Sequence, residues 1–264
     1  MNVLSLFDGI SAARVALSRA GIGVDKYYAS EIDKHAITVT QANFPDTIQL
    51  GDVRNIKEQN LPQIDILVGG PECKTYSVAG KMGAESLWQI ELFKWCIDNL
   101  KPKYWLMENV KSKDVIVKKI DEIIGCQSTI INSSHFCAQN RVRRYWTNFP
   151  IPQVVEDRQI LLKDLSDDLP ICLSSSGRGN GKIERRLSDN SKAHTLTATG
   201  YTKRAFSGFI TKELQIREFT REEMEKLQTF PVGYTNSISH RHAVKALGNS
   251  WTVDVIAHIL RGIK

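Results

Sequence analysis

The sequence predicts an α/β protein with a doubly wound, mostly parallel sheet and a small loop-rich region. In the first half, short apolar runs alternate with stretches of helical patterning, which is typical of parallel βαβ units. After Pro150 this alternation gives way to residues rich in serine, glycine and basic groups. Helical patterning returns near Thr220. We therefore expect a large α/β body, a loop-rich insertion and a C-terminal helix that returns to the body.

Each strand of the body is predicted from an apolar run, and each helix from the amphipathic segment after it. The expected elements are a strand at 3–7 with a helix through Ala20, a strand at 26–30 with a helix from Asp33, a strand at 64–68 with a helix at 85–100, and a strand at 104–107. A capping box at 220–223 opens the later helical part, and a helix at 251–261 closes it. Trp88, Trp95 and Trp105 are predicted to be core residues.

Composition and charge narrow the class of protein. The 264 residues are 42% apolar, enough for one domain or one domain with a smaller lobe. A net charge of +6 and a pI near 9.0 suit a polyanionic partner. No transmembrane or signal segment is recognised, so we expect an intracellular protein, cytoplasmic in a prokaryotic or phage-infected cell and nuclear in a eukaryote.

The cysteine and histidine patterns predict neither disulfides nor a metal. The five cysteines are odd in number and contain no C-x-x-C pair, which favours a reducing compartment and argues against a zinc site. The histidines show no ligand spacing. The sequence therefore predicts no metal.

Polar residues follow the predicted strands at their carboxyl ends, where ligands bind in open α/β sheets. They are Asp8-Gly9, Glu31, Asp52, the stretch 71–77 and Glu108. The acidic residue expected after a second strand is present as Glu31, but the G-x-G-x-x-G fingerprint is absent. A nucleoside-bearing cofactor without a pyrophosphate fits these residues. Singly, Glu31 and Asp52 are equally compatible with helix caps or solvated turn residues.

Cys73 is the candidate for covalent chemistry. It follows an apolar run and the flexible pair Gly69-Gly70, and a second run ends in Glu108. A thiol and a carboxylate at the tips of two strands form a site for nucleophilic catalysis. The alternative is a small buried cysteine, but its polar neighbours Glu72 and Lys74 favour the functional interpretation.

Taken in order, these segments resemble the cytosine-C5 DNA methyltransferase family over residues 4 to about 260. The segments that carry the resemblance are Leu6-Phe7-Asp8-Gly9-Ile10, Ser30-Glu31-Ile32-Asp33, Gly51-Asp52-Val53, Gly69-Gly70-Pro71-Glu72-Cys73, Glu108-Asn109-Val110, Gln139-Asn140-Arg141-Val142-Arg143 and Gly248-Asn249-Ser250. Their shared order is specific, whereas each is weak alone. The short stretch after Arg143 is similar to the compact, Dnmt3-like branch.

The resemblance implies a class I S-adenosylmethionine-dependent, Rossmann-like fold and a DNA (cytosine-5-)-methyltransferase. Cys73 would attack C6 of the base, Glu108 would hold its Watson–Crick edge, Arg143 would contact it and Arg141 would organise the loop. A solvated basic strand or a phosphate clamp is the alternative for the two arginines. Residues implied for S-adenosylmethionine, whose product is S-adenosylhomocysteine, are Phe7, Asp8, Gly9, Ile10, Glu31, Ile32, Asp52, Val53, Pro71, Asn249, Ser250 and Trp251.

The resemblance also implies double-stranded DNA as partner, because a target base must be flipped out of the duplex. The DNA-contacting residues are expected to be Ser77, Arg178, Lys182, Arg185 and Arg186, although a solvated loop is the simpler interpretation of each basic residue. The catalytic domain would comprise 1–148 with 240–264, and the recognition region 149–239. We expect a monomer or a weak homo-oligomer, with a restriction-modification role.

One residue departs from the family pattern. The family has proline before the nucleophile, and this chain has Glu72, whose charge should raise the pKa of the neighbouring thiol. A catalytically silent DNA-binding homologue, or an enzyme with an altered base or donor, therefore stays open beside the active enzyme. A nicotinamide oxidoreductase is disfavoured by the missing glycine fingerprint.

Overall fold

The computed structural model describes residues 1–71, 87–153, 156–165, 192–198 and 218–263, together with the main chain of four short strands between 171 and 217. The larger sheet contains β1 (Asn2–Leu6), β2 (Lys26–Ser30), β3 (Ile48–Gln49), β4 (Ile66–Gly69), β5 (Tyr104–Val110), β6 (Thr129–Asn132) and β7 (Val142–Thr147). The helices are α1 (Ala12–Arg19), α2 (Lys34–Asn43), α3 (Trp88–Leu100), α4 (Asp114–Ile124), α5 (Arg221–Leu227), α6 (His240–Asn249) and α7 (Val253–Leu260).

The strand order of this sheet is β3-β2-β1-β4-β5-β7-β6. The pairs from β3 to β5 are parallel, and β7 runs antiparallel to β5. The chain moves outward from β1 to β3 and then returns to place β4 on the other side of β1. This reversal is a topological switch point, and ligands of such sheets bind outside the carboxyl ends of the strands beside it. The predicted doubly wound, mostly parallel sheet is confirmed.

The helices form where apolar residues recur at helical spacing. In α4, Ile116, Val117, Ile120 and Ile124 are buried and line one face. This helix was not among the predicted elements. In α3 the buried stripe includes Ile90, Phe93 and Cys96.

The core of the larger sheet is aromatic as well as aliphatic. Trp146 is fully buried, and its indole N–H donates to the carboxylate of Asp121 at 2.6 Å. Phe93 packs edge to face against Trp105, with ring centroids 6.4 Å apart. Trp105 is therefore the core residue that the sequence predicted, but Trp88 is 41% exposed and the prediction for it was wrong.

A second sheet is antiparallel in the order β11-β10-β8-β9. Its strands are β8 (Ile171–Ser174), β9 (Glu184–Arg185), β10 (Ser207–Ile210) and β11 (Ile216–Arg217). This sheet lies within the predicted loop-rich region that follows Pro150.

The chain divides into two compact units. The first contains Met1–Ile131, Val142–Pro152 and Ile256–Lys264, and the second Asn132–Arg141 and Gln153–Val255. The end of the chain, from Ile256, therefore belongs to the unit of the larger sheet. The assignment of 1–148 with 240–264 as a catalytic domain stays a prediction. The assignment of 149–239 as a recognition region stays a prediction.

Predicted boundaries agree closely with the observed elements where a cap or an apolar run defines them. The second strand has the predicted bounds, and Thr220 forms the predicted capping box with Glu223. Asp33 caps α2 by accepting from the amide of His35. The predicted start of α3 at Glu85 lies outside the described residues.

Candidate active site

Asp8, Glu31 and Asp52 lie at one edge of the sheet. They follow β1, β2 and β3, which are neighbouring parallel strands, so their carboxyl ends are adjacent. Main-chain and side-chain bonds hold these ends in register: Asp8 donates its amide to the Ser30 carbonyl, and the Ser30 hydroxyl donates to the Gly51 carbonyl. The structure thus brings together three predicted cofactor residues.

The carboxylate of Glu31 is fixed by three main-chain amides. One oxygen accepts from Gly9 at 2.8 Å, and the other accepts from Ile32 and Asp33 at 2.8 Å each. It is therefore a turn residue and not the helix cap, which is Asp33. Beside it the side chain of Ile32 is 71% exposed, which leaves an apolar surface next to a fixed acceptor.

The turn after β1 has an unusual backbone. Phe7, Gly9 and Ser11 all have φ between 56° and 59°. Two of these are non-glycine residues in the left-handed region, where strain concentrates at ligand sites. At Gly9 the lack of a Cβ removes this strain. The turn leads into α1, whose first residues follow Ile10 and the buried Ser11.

The carboxyl group of Asp8, within this turn, is fixed by two side-chain hydrogen bonds. Its carboxyl group accepts from Tyr27 at 2.7 Å and from Ser11 at 2.5 Å, and both partners are fully buried. Desolvation by burial raises the pKa of Asp8 from 3.8 to about 6, against the lowering effect of these hydrogen bonds. The Ser11 hydroxyl also lies 2.9 Å from that of Thr40. Sequence reasoning missed this buried network.

Asp52 caps the 3-10 turn Val53–Glu58 by accepting from the amide of Arg54. It also pairs with the guanidinium of Arg54 at 2.5 Å, and this hydrogen bond lowers the pKa of Asp52. Since the Arg54 side chain is 72% exposed, the ion pair is open to solvent. Val53 beside it is buried. The structure therefore shows the capping role that the sequence left open, and cofactor contact by Asp52 stays a prediction.

The base of the predicted nucleophile loop is anchored to β5. Pro71 is buried, and its carbonyl accepts from the side-chain amide of Asn109 at 3.3 Å. Asn109 is itself buried, and its side-chain oxygen accepts from the amide of Val110. This fixes where the chain leaves the sheet after β4.

Glu108 and Arg143 form a buried ion pair. The Arg143 Nε lies 3.0 Å from a Glu108 oxygen, and the side chains are 15% and 10% exposed for Arg143 and Glu108 respectively. Antiparallel pairing of β5 with β7 places Val110 opposite Arg143 and Glu108 opposite Tyr145, which puts the pair on one face. The Arg143 guanidinium also donates to the Val142 carbonyl at 2.8 Å. A carboxylate and a fixed cation thus lie together near the carboxyl end of β5, and their contact with a base stays a prediction.

Several predicted residues lie outside the described part of the chain. They are Glu72, Cys73, Lys74, Ser77, Arg178, Lys182 and Arg186, and only the main chain of Arg185 is described, in β9. Their roles stay predictions.

The described cysteines are poor nucleophiles. Cys96 and Cys137 are buried, and desolvation raises their pKa to about 12 and about 11. Cys126 is half-buried, and its pKa is raised by the same cause. Because the thiolate is the reactive form, none of these three thiols is suited to attack.

Arg141, in the second unit, binds three main-chain carbonyls through hydrogen bonds. It is 5% exposed and donates to the carbonyls of Leu196 at 2.8 Å, Gly248 at 3.1 Å and Ser250 at 2.8 Å. This burial rules out a solvated basic strand at this position. The role of Arg141 in organising the loop stays a prediction.

Gln228 completes this network, and sequence reasoning missed it. Its amide nitrogen donates to the carbonyls of Leu247 at 2.7 Å and Ser250 at 3.3 Å, and its oxygen accepts from Thr252 at 2.8 Å. The buried Gln139 donates to Gln228 at 3.4 Å and accepts from the amide of Leu196 at 2.8 Å. The place of Gln228 between the apolar residues Leu227 and Phe230 was the available signal.

These contacts hold the predicted closing cofactor segment. The side chain of Asn249 is exposed, Ser250 is buried and Trp251 is half-buried. A Cβ at Gly248 would lie 2.3 Å from the carbonyl carbon and oxygen of Thr197, so only glycine fits there. Asn249 is thus the exposed last residue of α6, and the neighbouring carbonyls of Leu247, Gly248 and Ser250 are held by Arg141 and Gln228.

Metal-binding clusters and membrane-spanning helices are both absent from the described residues. These residues contain no group of three or more histidine, cysteine or acidic side chains arranged to hold a metal ion. No helix within them has both the length and the apolar character needed to cross a bilayer.

Comparison with known families identifies the arrangement. The model of the C-5 cytosine-specific DNA methylase family matches residues 1–150 and, in a second match, 113–264. The chain belongs to this family. The expectation drawn from the ordered motifs is thereby confirmed, whereas the narrower placement in a Dnmt3-like branch stays a prediction.

Individual relatives extend the comparison of this family member. It is 34% identical to the orphan methyltransferase M.SPRI of Bacillus phage SPR over 55% of this chain and 37% of the phage protein. It thus spans well under half of the phage relatives that it matches. It is 25% identical to the type II methyltransferase M.Bsp6I of Bacillus sp. (strain RFL6), over 100% of this chain and 98% of that protein.

Solved methyltransferase structures share the fold of this chain. The S. pombe Dnmt2 methyltransferase structure superimposes with a TM-score of 0.70, at 19% identity, over 99% of this chain and 97% of that one. At this identity the likeness concerns the fold.

Proposed function

We propose that the chain is a DNA (cytosine-5-)-methyltransferase that moves a methyl group from S-adenosylmethionine to C5 of a flipped cytosine. The observation that carries the proposal is the buried Glu108–Arg143 pair at the carboxyl end of β5 in a member of the C-5 cytosine methylase family. Such a pair presents one acceptor and fixed donors to the edge of a planar base.

Cys73 is the proposed nucleophile. It lies two residues beyond Pro71, whose carbonyl is anchored by the side chain of Asn109. The raised pKa values of Cys96, Cys126 and Cys137 argue against each of these as an alternative. The proposal therefore places the thiol on the loop that follows β4, beside the switch point of the sheet.

The proposed chemistry proceeds through a covalent adduct. The Cys73 thiolate forms a bond to C6, and the ring electrons move towards C5 while Glu108 holds N3 through a shared proton. S-adenosylmethionine, when bound, supplies an electrophilic methyl group on a sulfonium. C5 would take this methyl group as the carbon–sulfur bond of the sulfonium breaks, and S-adenosylhomocysteine would be the leaving group. Loss of the C5 proton and expulsion of the thiolate restore the aromatic ring.

The residues for the donor are those at the ends of β1 to β3. Glu31 would accept from ribose hydroxyls, the exposed Ile32 would pack against the adenine ring, and Asp52 would accept from its exocyclic amine. The turn with Phe7 and Gly9 would lie against the sulfonium-bearing chain. Asn249 to Trp251 are assigned to the donor by the family resemblance.

Double-stranded DNA is the proposed substrate, because both the family and the net charge of +6 point to a polyanion. M.Bsp6I is named as a type II methyltransferase and M.SPRI as an orphan one. We extend to this chain the modification role of a restriction-modification system, with or without a partner nuclease.

Covalent trapping tests the proposal. Duplex DNA carrying 5-fluorocytosine blocks the last step, because C5 then carries fluorine in place of the proton that must be removed. With S-adenosylmethionine present, the parent protein should migrate as a DNA adduct on a denaturing gel. Cys73→Ser should give no adduct, and Cys126→Ser, which changes a half-buried thiol of the core, should still give one.

The outcomes separate the alternatives. Equal labelling of Cys73→Ser and parent would refute the assignment of the nucleophile. A parent protein that binds S-adenosylhomocysteine and duplex DNA but forms no adduct would be the silent homologue that Glu72 leaves open.

A further inference from the structure

Two lysines lie directly beyond the carboxyl end of β5. Lys111 and Lys113 follow Val110, the last residue of that strand. Both are exposed, whereas Ser112 between them is only 8% exposed. Since alternate residues of an extended segment point to opposite sides, the buried serine leaves both lysine side chains on the outer side.

The charge here is not balanced by neighbouring carboxylates. Residues 111–119 contain four lysines and one aspartate, and all five are exposed. None of the ion pairs observed within the described residues includes Lys111 or Lys113. Unpaired lysines on a surface are commonly only solvated, so their position in the fold decides what they can do.

Their position is beside the proposed base-binding pair. Lys111 is three residues beyond Glu108, whose carboxylate is fixed by Arg143 at 3.0 Å. A cytosine held there is still joined through its own phosphates to the duplex from which it was flipped. The phosphates that flank the target nucleotide must therefore lie near the carboxyl end of β5.

We propose that Lys111 and Lys113 form a phosphate-binding site for the DNA backbone flanking the flipped cytosine. The inference rests on the proposed function and extends its DNA surface beyond the basic loop predicted at 178–186. Phosphate binding of this kind fixes the position of the duplex without reading its sequence.

The same strand supplies a matched control. Lys101 and Lys103 are also exposed and lie just before Tyr104, at the opposite end of β5. They share the residue type, spacing and strand of the first pair but lie at the edge away from Glu108. Changing either pair to glutamine removes two charges from the surface.

The experiment measures the salt dependence of duplex binding by fluorescence anisotropy. Removing the neutralising charge from one phosphate reduces the slope of log K against log salt by about 0.9, so Lys111→Gln/Lys113→Gln should reduce it by about 2. Lys101→Gln/Lys103→Gln should keep the parent slope. Binding of S-adenosylhomocysteine checks folding, and if the double variant does not fold, Lys111→Gln alone should reduce the slope by about 1.

An unchanged slope in the Lys111 variants, or an equal reduction in both pairs, would overturn the inference. Its failure is distinct from failure of the proposed function, which trapping with 5-fluorocytosine reports separately. If Lys111→Gln/Lys113→Gln forms the covalent DNA adduct but keeps the parent's salt slope, only the lysine site is refuted.

Discussion

Replacing Arg141 should destabilise the second unit more than any surface arginine would. Arg141→Met keeps an unbranched side chain of similar reach but removes all donors from a position that is 5% exposed. The carbonyls of Leu196, Gly248 and Ser250 each lose a charged donor. The Ser250 carbonyl keeps a neutral donor, the side-chain amide of Gln228 at 3.3 Å.

The expected destabilisation follows from these hydrogen bonds. A hydrogen bond from a charged donor contributes about 1.5–3 kcal/mol, so removing two completely and one in part amounts to about 3–6 kcal/mol of unfolding free energy. For a chain of this size each kcal/mol lowers Tm by roughly 2–4 °C. The reduction in Tm should therefore be on the order of 10 °C.

Urea unfolding followed by tryptophan fluorescence measures the effect, since Trp251 is next to Ser250. Arg158→Met is the control: its partner is Asp254, its side chain is 43% exposed, and its replacement should change the unfolding free energy by less than about 1 kcal/mol. If Arg141→Met were no more destabilising than this control, the hydrogen bonds of Arg141 would not make the expected contribution to the unfolding free energy.

Three further predictions concern the site and its support. Arg143→Lys keeps the charge but loses the planar fork, so kcat should fall by about tenfold or more with S-adenosylhomocysteine affinity retained; an unchanged kcat in a methylation assay would contradict this. Because burial raises the pKa of Asp8 from 3.8 to about 6, the native state keeps a proton that the unfolded state loses, and stability should fall as pH rises through this window. A plot of Tm against pH for Asp8→Asn should lack this fall. Curves of the same shape for the variant and the parent would contradict the prediction. Gly248→Ala places a Cβ 2.3 Å from the Thr197 carbonyl and should lower stability by about 1–3 kcal/mol in thermal denaturation, whereas Gly23→Ala, with open space around it, should not.

Local signals predicted the elements and the common edge well. The alternation of apolar runs and helices predicted the parallel sheet, and this topology alone brought Asp8, Glu31 and Asp52 together. The capping box at Thr220 was predicted because its two hydrogen bonds join residues three positions apart.

Long-range contacts could not be predicted in this way. The carbonyls that Arg141 binds lie 55, 107 and 109 residues away, and a carbonyl carries no residue-specific signal. The sequence could show an arginine in a motif but not whether its donors face a base, a phosphate or the main chain.

Two errors had signals that were available. The spacing of Ile116, Ile120 and Ile124 predicts α4, which was overlooked. Trp88 was assigned to the core although it precedes Ile90 by two residues, and residues two apart lie on different sides of a helix.

The three amides bound to Glu31 also limit how it can receive a ribose. A carboxylate offers roughly four acceptor positions, and Gly9, Ile32 and Asp33 occupy three of them. One hydroxyl can therefore dock on a preformed acceptor with little loss of side-chain entropy. That free position is on the oxygen that the Gly9 amide also binds, so a second hydroxyl must displace one of the three amides. Full engagement of the sugar is therefore coupled to the turns after the first and second strands.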